Sequence, residues 1–181
     1  INFIDTANSY GNQERFDRPG MPTWRERPGS EELVGKAIRG RRDRVVIATK
    51  VQERVGDGPN DGGPRGGGLT RRHIVAQCEA SLRRLGTDYI DLYQTHAFDA
   101  HVPLQETLRA LDDLVHAGKV RYIGTSNLKA WQLAEADWTS RRLGVPAFAS
   151  VQHRYNLLHR AIEDEIVPAC QSRGIAILPW N

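Results

Sequence analysis

Asp5, Tyr10, Lys50 and His96 are the residues of this chain best suited to moving a proton onto a carbonyl, and each follows a strand-like run. Asn2-Phe3-Ile4 leads into Asp5, with Tyr10 five positions further on. Val45 through Thr49 leads into Lys50, and Tyr89 through Thr95 leads into His96. A phenol ionises at about pH 10, so a tyrosine is an efficient acid near neutrality only when a neighbouring cation favours its phenolate. Lys50 can supply that cation, and Asp5 can hold the ammonium by pairing with it. His96 can polarise a carbonyl or assist the proton transfer. The set can protonate a carbonyl oxygen while something else supplies hydride to the carbon.

A fourth run, Tyr122 through Thr125, delivers Ser126 and Asn127, whose hydroxyl and amide groups suit a carboxamide ligand. Gln152 ends the next run and offers the same chemistry, and Trp180 ends the last, where an indole can lie against a flat heteroaromatic ring. Taken singly, each residue has an ordinary explanation. An Asp or His at a strand end satisfies backbone groups, Tyr10 lines a wall, Ser126 caps a helix starting near Leu128, and Trp180 packs at the mouth. Four proton-handling residues after three successive strands are harder to explain as capping. The remaining histidines, His73, His101, His116, His153 and His159, have no zinc spacing. Neither a G-x-S-x-G elbow nor a G-x-G-x-x-G or P-loop cradle is present.

The elements that must position these residues alternate. Helical stripes are Leu33-Val34-Ala37-Ile38 behind the N-cap candidate Ser30, and Ile74-Val75-Cys78-Leu82-Leu85 behind Thr70. Leu104 to Val115 and Ile162 to Cys170 carry two more, and 129–142 a weaker one. Each is followed by a glycine (Gly40, Gly86, Gly118, Gly144, Gly174) and then by a β-rich run at 45–49, 89–95, 120–125, 147–152 or 175–179. Strand, helix, glycine, strand in repetition is a parallel α/β protein, and the order suggests a barrel rather than an open sheet. A barrel gathers the ends of its strands at one mouth. The long loops at 11–29 and 51–69, the second holding seven of the 17 glycines, sit where a barrel shapes its substrate pocket.

Bulk properties exclude other classes. The 181 residues are one domain by length, 39% hydrophobic and 26% charged. No apolar run approaches the roughly 20 residues of a membrane-spanning helix and no signal peptide opens the chain. The formal charge of +3 is dispersed, unlike the basic stripe of a nucleic-acid binder. Cys78 and Cys170 read as buried free thiols, which fits the cytoplasm. Of 25 basic residues only four are lysines; Lys50 alone ends an apolar strand, where a tunable cation has a chemical use that arginine lacks.

The motifs Asn2-Phe3-Ile4-Asp5-Thr6-Ala7…Tyr10-Gly11, Ser30-Glu31-Glu32-Leu33-Val34-Gly35, Ala48-Thr49-Lys50, Asp91-Leu92-Tyr93-Gln94-Thr95-His96 and Gly124-Thr125-Ser126-Asn127 together resemble the aldo-keto reductase family nearly end to end. The likeness is to the branch of bacterial oxidoreductases and potassium-channel β-subunits. It implies a (β/α)8 barrel that binds NADPH without a Rossmann domain, with Asp5, Tyr10, Lys50 and His96 as catalytic tetrad and Tyr10 as acid. It also implies nicotinamide contacts from Ser126, Asn127 and Gln152 and ring stacking by Trp180. The expected activity is reduction of a small aldehyde or ketone, with self-association compatible with it. The alternative is a cofactor-sensing partner protein like the channel β-subunits, with slow turnover. Residues 1–181 would be a single such domain holding strands two to seven and truncated at both ends. Ile1 already lies in a strand-like run, Asn181 stands where the family usually has Ser, and the family's phosphate-gripping loops after strands 7 and 8 have no counterpart here.

Overall fold

The computed structural model describes residues 1–11, 13–14, 17–55 and 67–181. Residues 12, 15 and 16 of the first long loop, and 56–66 of the glycine-rich one, lie outside the described residues.

Six strands form one sheet: β1 (Phe3–Asp5), β2 (Val46–Val51), β3 (Ile90–Thr95), β4 (Val120–Ser126), β5 (Ser150–Arg154) and β6 (Ala176–Trp180). All neighbours are parallel and the spatial order is the chain order. Five helices provide the crossovers: α1 (Ser30–Ala37), α2 (Arg71–Leu85), α3 (Leu104–His116), α4 (Ala130–Leu143) and α5 (Ile166–Arg173). Among the described residues the sheet curls into an incomplete (β/α)8 barrel, with β1 and β6 at its two edges. Its concavity shows in the side chains, because Gln94 on β3 reaches past β2 to hydrogen-bond Asp5 on β1.

Side chains alternate across the sheet as strand geometry requires. Ile47, Val51, Tyr93, Ile123 and Val151 point outward and pack against Ile74, Cys78, Leu82, Leu108, Leu111 and Leu133 of the helices. The other parity places Lys50, Gln94, Gly124 and Ser150 at one level of the concave face. Burial of the outward set supplies the stability, and the concave face is left for chemistry.

The helix boundaries follow local rules. Thr70 caps α2, its hydroxyl accepting from His73 N–H at 3.4 Å. Gly86, Gly144 and Gly174 end α2, α4 and α5 in the left-handed conformation (φ 64°, 66° and 67°). Ser30 is not the N-cap of α1. Gly29 takes that place, its N–H bonded by the Glu32 carboxylate at 3.3 Å, while the Ser30 hydroxyl turns to accept from Thr6 at 2.8 Å. Leu33 and Ala37 of the expected stripe are exposed, as are Trp131 and Trp138 on α4. Ser126 is no helix cap either: α4 starts behind Lys129. Strand β5 begins at Ser150 rather than 147, beyond Pro146, which has no N–H to give a ladder.

Glu31, on the first turn of α1, is 1% exposed. Its carboxylate accepts from Thr49 on β2 at 2.5 Å and from the Arg84 guanidinium on α2 at 2.7 Å. The pair fastens α1 to the strand and helix that follow it. Breaking such a buried pair costs about 3–5 kcal/mol, since a charge is left unpaired. Cys78 and Cys170 are free and buried, and burial pushes the Cys78 thiol up to about 12. Among the described residues no helix is long and apolar enough to cross a membrane.

Candidate active site

Asp5 ends β1, and the chain then turns tightly through residues 7–10. Two bonds from β2 carbonyls to this segment, Ala48 O to Thr6 N–H (2.9 Å) and Lys50 O to Asn8 N–H (3.2 Å), carry it past the sheet edge. The Asn8 amide donates to Glu53 O and to Gln77 Oε1, both at 3.2 Å. Tyr10 N–H closes the turn onto Ala7 O, and Tyr10 O accepts from Ser30 N–H at 2.8 Å. The Tyr10 backbone is thereby fixed at both its N–H and its C=O.

Lys50 is 0% exposed, and its ammonium donates to Asp5 Oδ2 at 2.6 Å and to Thr6 O at 2.8 Å. A buried lysine is tolerable only when paired and hydrogen-bonded, and both conditions are met here. Its Nζ lies 4.8 Å from the centroid of the Tyr10 ring. The Tyr10 and His96 rings meet edge to face with centroids 5.7 Å apart. The structure thus brings Asp5, Tyr10, Lys50 and His96 together at the C-terminal end of the sheet. Lys50 lies inside β2 rather than beyond its end, so its charge reaches the others from beneath.

Ser126, Asn127, Gln152 and Trp180 make the adjoining wall. Asn127 adopts a left-handed backbone (φ 58°), which asparagine tolerates better than most residues. Its N–H donates to Gln152 O at 3.0 Å, and its side-chain amide donates to His96 O and Ser126 Oγ, each at 3.1 Å. Ser126 Oγ donates to Gln152 O at 3.0 Å. Trp180 Nε1 in turn donates to Asn127 Oδ1 at 3.2 Å. Ser126 and Gln152, like Lys50, sit within strands rather than after them.

A cavity of about 460 Å³ lies over both groups, walled by Asp5, Tyr10, His96, Ser126, Asn127, Gln152 and Trp180. Gln52, Glu53, Ala97 and Asn181 complete its rim. A separate hollow of about 520 Å³, where α1 and α2 end, is basic (Lys36, Arg39, Arg42, Arg83) and has no acid–base constellation. Among the described residues no cluster of three or more His, Cys, Asp or Glu side chains is placed to hold a metal ion.

Gln94 was not among the residues singled out from the sequence. It is fully buried and donates to Asp5 Oδ1 at 3.3 Å. The available signal was its parity, two residues before His96 in an otherwise apolar-facing strand. Thr6, whose carbonyl shares the Lys50 ammonium, contributes only backbone and leaves no such trace.

The model of the Aldo/keto reductase family matches residues 1–181. An uncharacterized oxidoreductase, YrpG, of Bacillus subtilis is 39% identical, covering 100% of this chain and 53% of the relative. Aldo-keto reductase AMT2 of Alternaria alternata is 38% identical, covering 100% of this chain and 51% of the relative. The versiconal hemiacetal acetate reductase of Aspergillus parasiticus is 40% identical over 84% of this chain and 48% of its own length. The chain spans about half the length of these relatives.

Proposed function

The chain belongs to the aldo/keto reductase family, and on that premise we propose that it carries the catalytic face of an NADPH-dependent reductase of aldehydes or ketones. The observation that carries the reading is the Lys50 ammonium, 2.6 Å from Asp5 and 4.8 Å from the centre of the Tyr10 ring. Asp5 and the Thr6 carbonyl hold that cation in place. His96, edge-on to the same ring, directs the substrate carbonyl toward the phenol and polarises it. As Tyr10 gives up its proton, Lys50 stabilises the phenolate left behind.

The adjoining wall fits a nicotinamide. Ser126, Asn127 and Gln152 offer hydroxyl and amide groups to a carboxamide, and Trp180, 40% exposed at the rim, offers an indole face to a flat ring. When bound, the reduced nicotinamide supplies hydride to the carbonyl carbon. Hydride to carbon and proton from Tyr10 to oxygen give the alcohol, and the chain's residues handle only the proton.

The test is steady-state consumption of NADPH, and separately NADH, against a panel of aldehydes and ketones, with the alcohol identified as product. Alcohol formed in step with cofactor oxidation supports the reading. Tight NADPH binding with no turnover on any carbonyl would replace it with a cofactor-sensing role.

A further inference from the structure

We infer that Gln94 is a positioning residue, acting through Asp5 to hold the Lys50 ammonium beneath Tyr10; the inference rests on the reductase reading above. Each oxygen of the Asp5 carboxylate has its own partner. Oδ2 takes the Lys50 ammonium at 2.6 Å, and Oδ1 takes Gln94 Nε2 at 3.3 Å. An ionised carboxylate only accepts hydrogen bonds, so the amide nitrogen of Gln94 must face it and the carboxamide orientation is fixed. The Asp5 side chain is 32% exposed, whereas that of Lys50 is 1% exposed. With one anchor, a half-solvated carboxylate turns about its own bonds and carries the ammonium contact with it. With two, the plane of the carboxylate is set.

The fold makes room for this bond at some cost. Gln94 is in register with Lys50 on β2 and with Gly124 on β4. A Cβ on Gly124 would lie 3.1 Å from Gln94 Cγ, 3.1 Å from Leu92 Cδ1 and 2.7 Å from Ser150 Oγ. Glycine at this level therefore leaves the space into which the Gln94 side chain fits. The Gln94 carboxamide oxygen is buried with no hydrogen-bond partner among the described residues. A leucine of similar volume would fill the site without burying an unpaired carbonyl. Glutamine is the costlier filler, and what it adds over leucine is one donor, which it spends on Asp5.

Gln94→Leu and Gln94→Glu separate a donor role from space filling. Leu removes the donor. Glu keeps the shape but sets a carboxylate against a carboxylate, so it is the worse change for positioning and the better one for packing. The expected result is kcat lowered about tenfold in Gln94→Leu and further in Gln94→Glu, with KM for the carbonyl changed less than about twofold. The reverse order, or a lower melting temperature with kcat intact, would overturn the inference. Isotope-labelled lysine gives a readout independent of turnover, since only four lysines contribute signals. The Lys50 side-chain resonances should move in Gln94→Leu, and resonances that stay in place overturn the inference. Should the unsubstituted protein reduce no carbonyl, the functional reading fails on that assay while these spectra still decide whether Gln94 positions Lys50. If Gln94→Glu does not fold, Gln94→Leu and the spectra suffice.

Discussion

The indole N–H of Trp180 donates to the Asn127 side-chain oxygen at 3.2 Å, joining two residues 53 positions apart at the rim of the cavity. With that bond made, the Asn127 carboxamide is occupied at both ends, its nitrogen by His96 O and Ser126 Oγ. A ligand amide that takes Asn127 Oδ1 either shares the oxygen with the indole N–H or displaces it, and displacement frees the ring to settle against the ligand. Trp180→Phe keeps the flat ring and removes the donor, so nicotinamide affinity should change little. Trp180→Ala removes the ring, worth about 0.5–1.5 kcal/mol, and should weaken binding about two- to tenfold. Calorimetric titration with NADPH checks both; equal losses would assign the effect to the donor and not to the ring.

Tyr10→Phe should lower kcat by about 10²–10⁴-fold, the usual range for a lost general acid, with cofactor affinity nearly unchanged. The ring, its edge contact with His96 and its face toward Lys50 all survive the change. A variant that kept the parental kcat would remove Tyr10 from the mechanism.

Lys50→Met should abolish measurable reduction, and Lys50→Arg should fail to restore it. The site under Tyr10 is fully buried, and a planar guanidinium does not take the place of a compact ammonium held by Asp5 Oδ2 and Thr6 O. Recovery of substantial turnover in Lys50→Arg would show that any cation serves.

Acid should destabilise the fold in part through His73, a 2%-exposed residue on α2. Burial holds its imidazole below the ordinary value of 6.5, with the nearby Glu53 backbone pulling weakly the other way. Because the folded value is the lower one, the unfolded chain binds the proton first as pH falls. The stability that His73 contributes is complete above the unfolded value and is lost as pH falls through it toward the folded value. Denaturation midpoints measured from pH 8 down to pH 5 should fall, and less steeply in His73→Leu. Parallel curves for the two proteins would count against this account.

Gly35→Ala should destabilise the protein by about 1–3 kcal/mol although alanine is the better helix former. A Cβ at this position would lie 2.6 Å from Leu85 O and 2.7 Å from Arg84 O, backbone atoms at the end of α2 that no side-chain rotation can move. Urea denaturation monitored by tryptophan fluorescence gives the difference. An unchanged midpoint would mean that α1 shifts freely on α2.

The sheet was legible because each strand is short, apolar outward and punctuated by a glycine after the preceding helix; the strands at 46–51, 90–95 and 120–126 lie within two residues of their expected bounds. That Asp5, Tyr10, Lys50 and His96 meet was legible because each is chemically conspicuous in or just after a strand-like run. Gln94 was not, since a glutamine in a strand reads as solvated until the curvature brings β3 over β1. The Glu31–Arg84 pair was hidden for the same reason: an acidic residue in the first turn of a helix is ordinary, and only packing shows Glu31 sealed against Thr49. The Asn127–Trp180 bond joins two residues that were each expected at the mouth, but nothing in their spacing links them.

The row Lys50–Gln94–Gly124–Ser150 also acts as a proofreader of assembly. Parallel strands that slide past one another by a single position turn every side chain to the opposite face. For β2 that error would drive the Lys50 ammonium among Ile74, Leu82 and Leu108, and would leave Ile47 and Val51 facing the cavity. A mispaired chain would therefore strand a charge in hydrocarbon, far from Asp5 and the Thr6 carbonyl. Strand alignment and the Lys50–Asp5 ion pair are therefore set together.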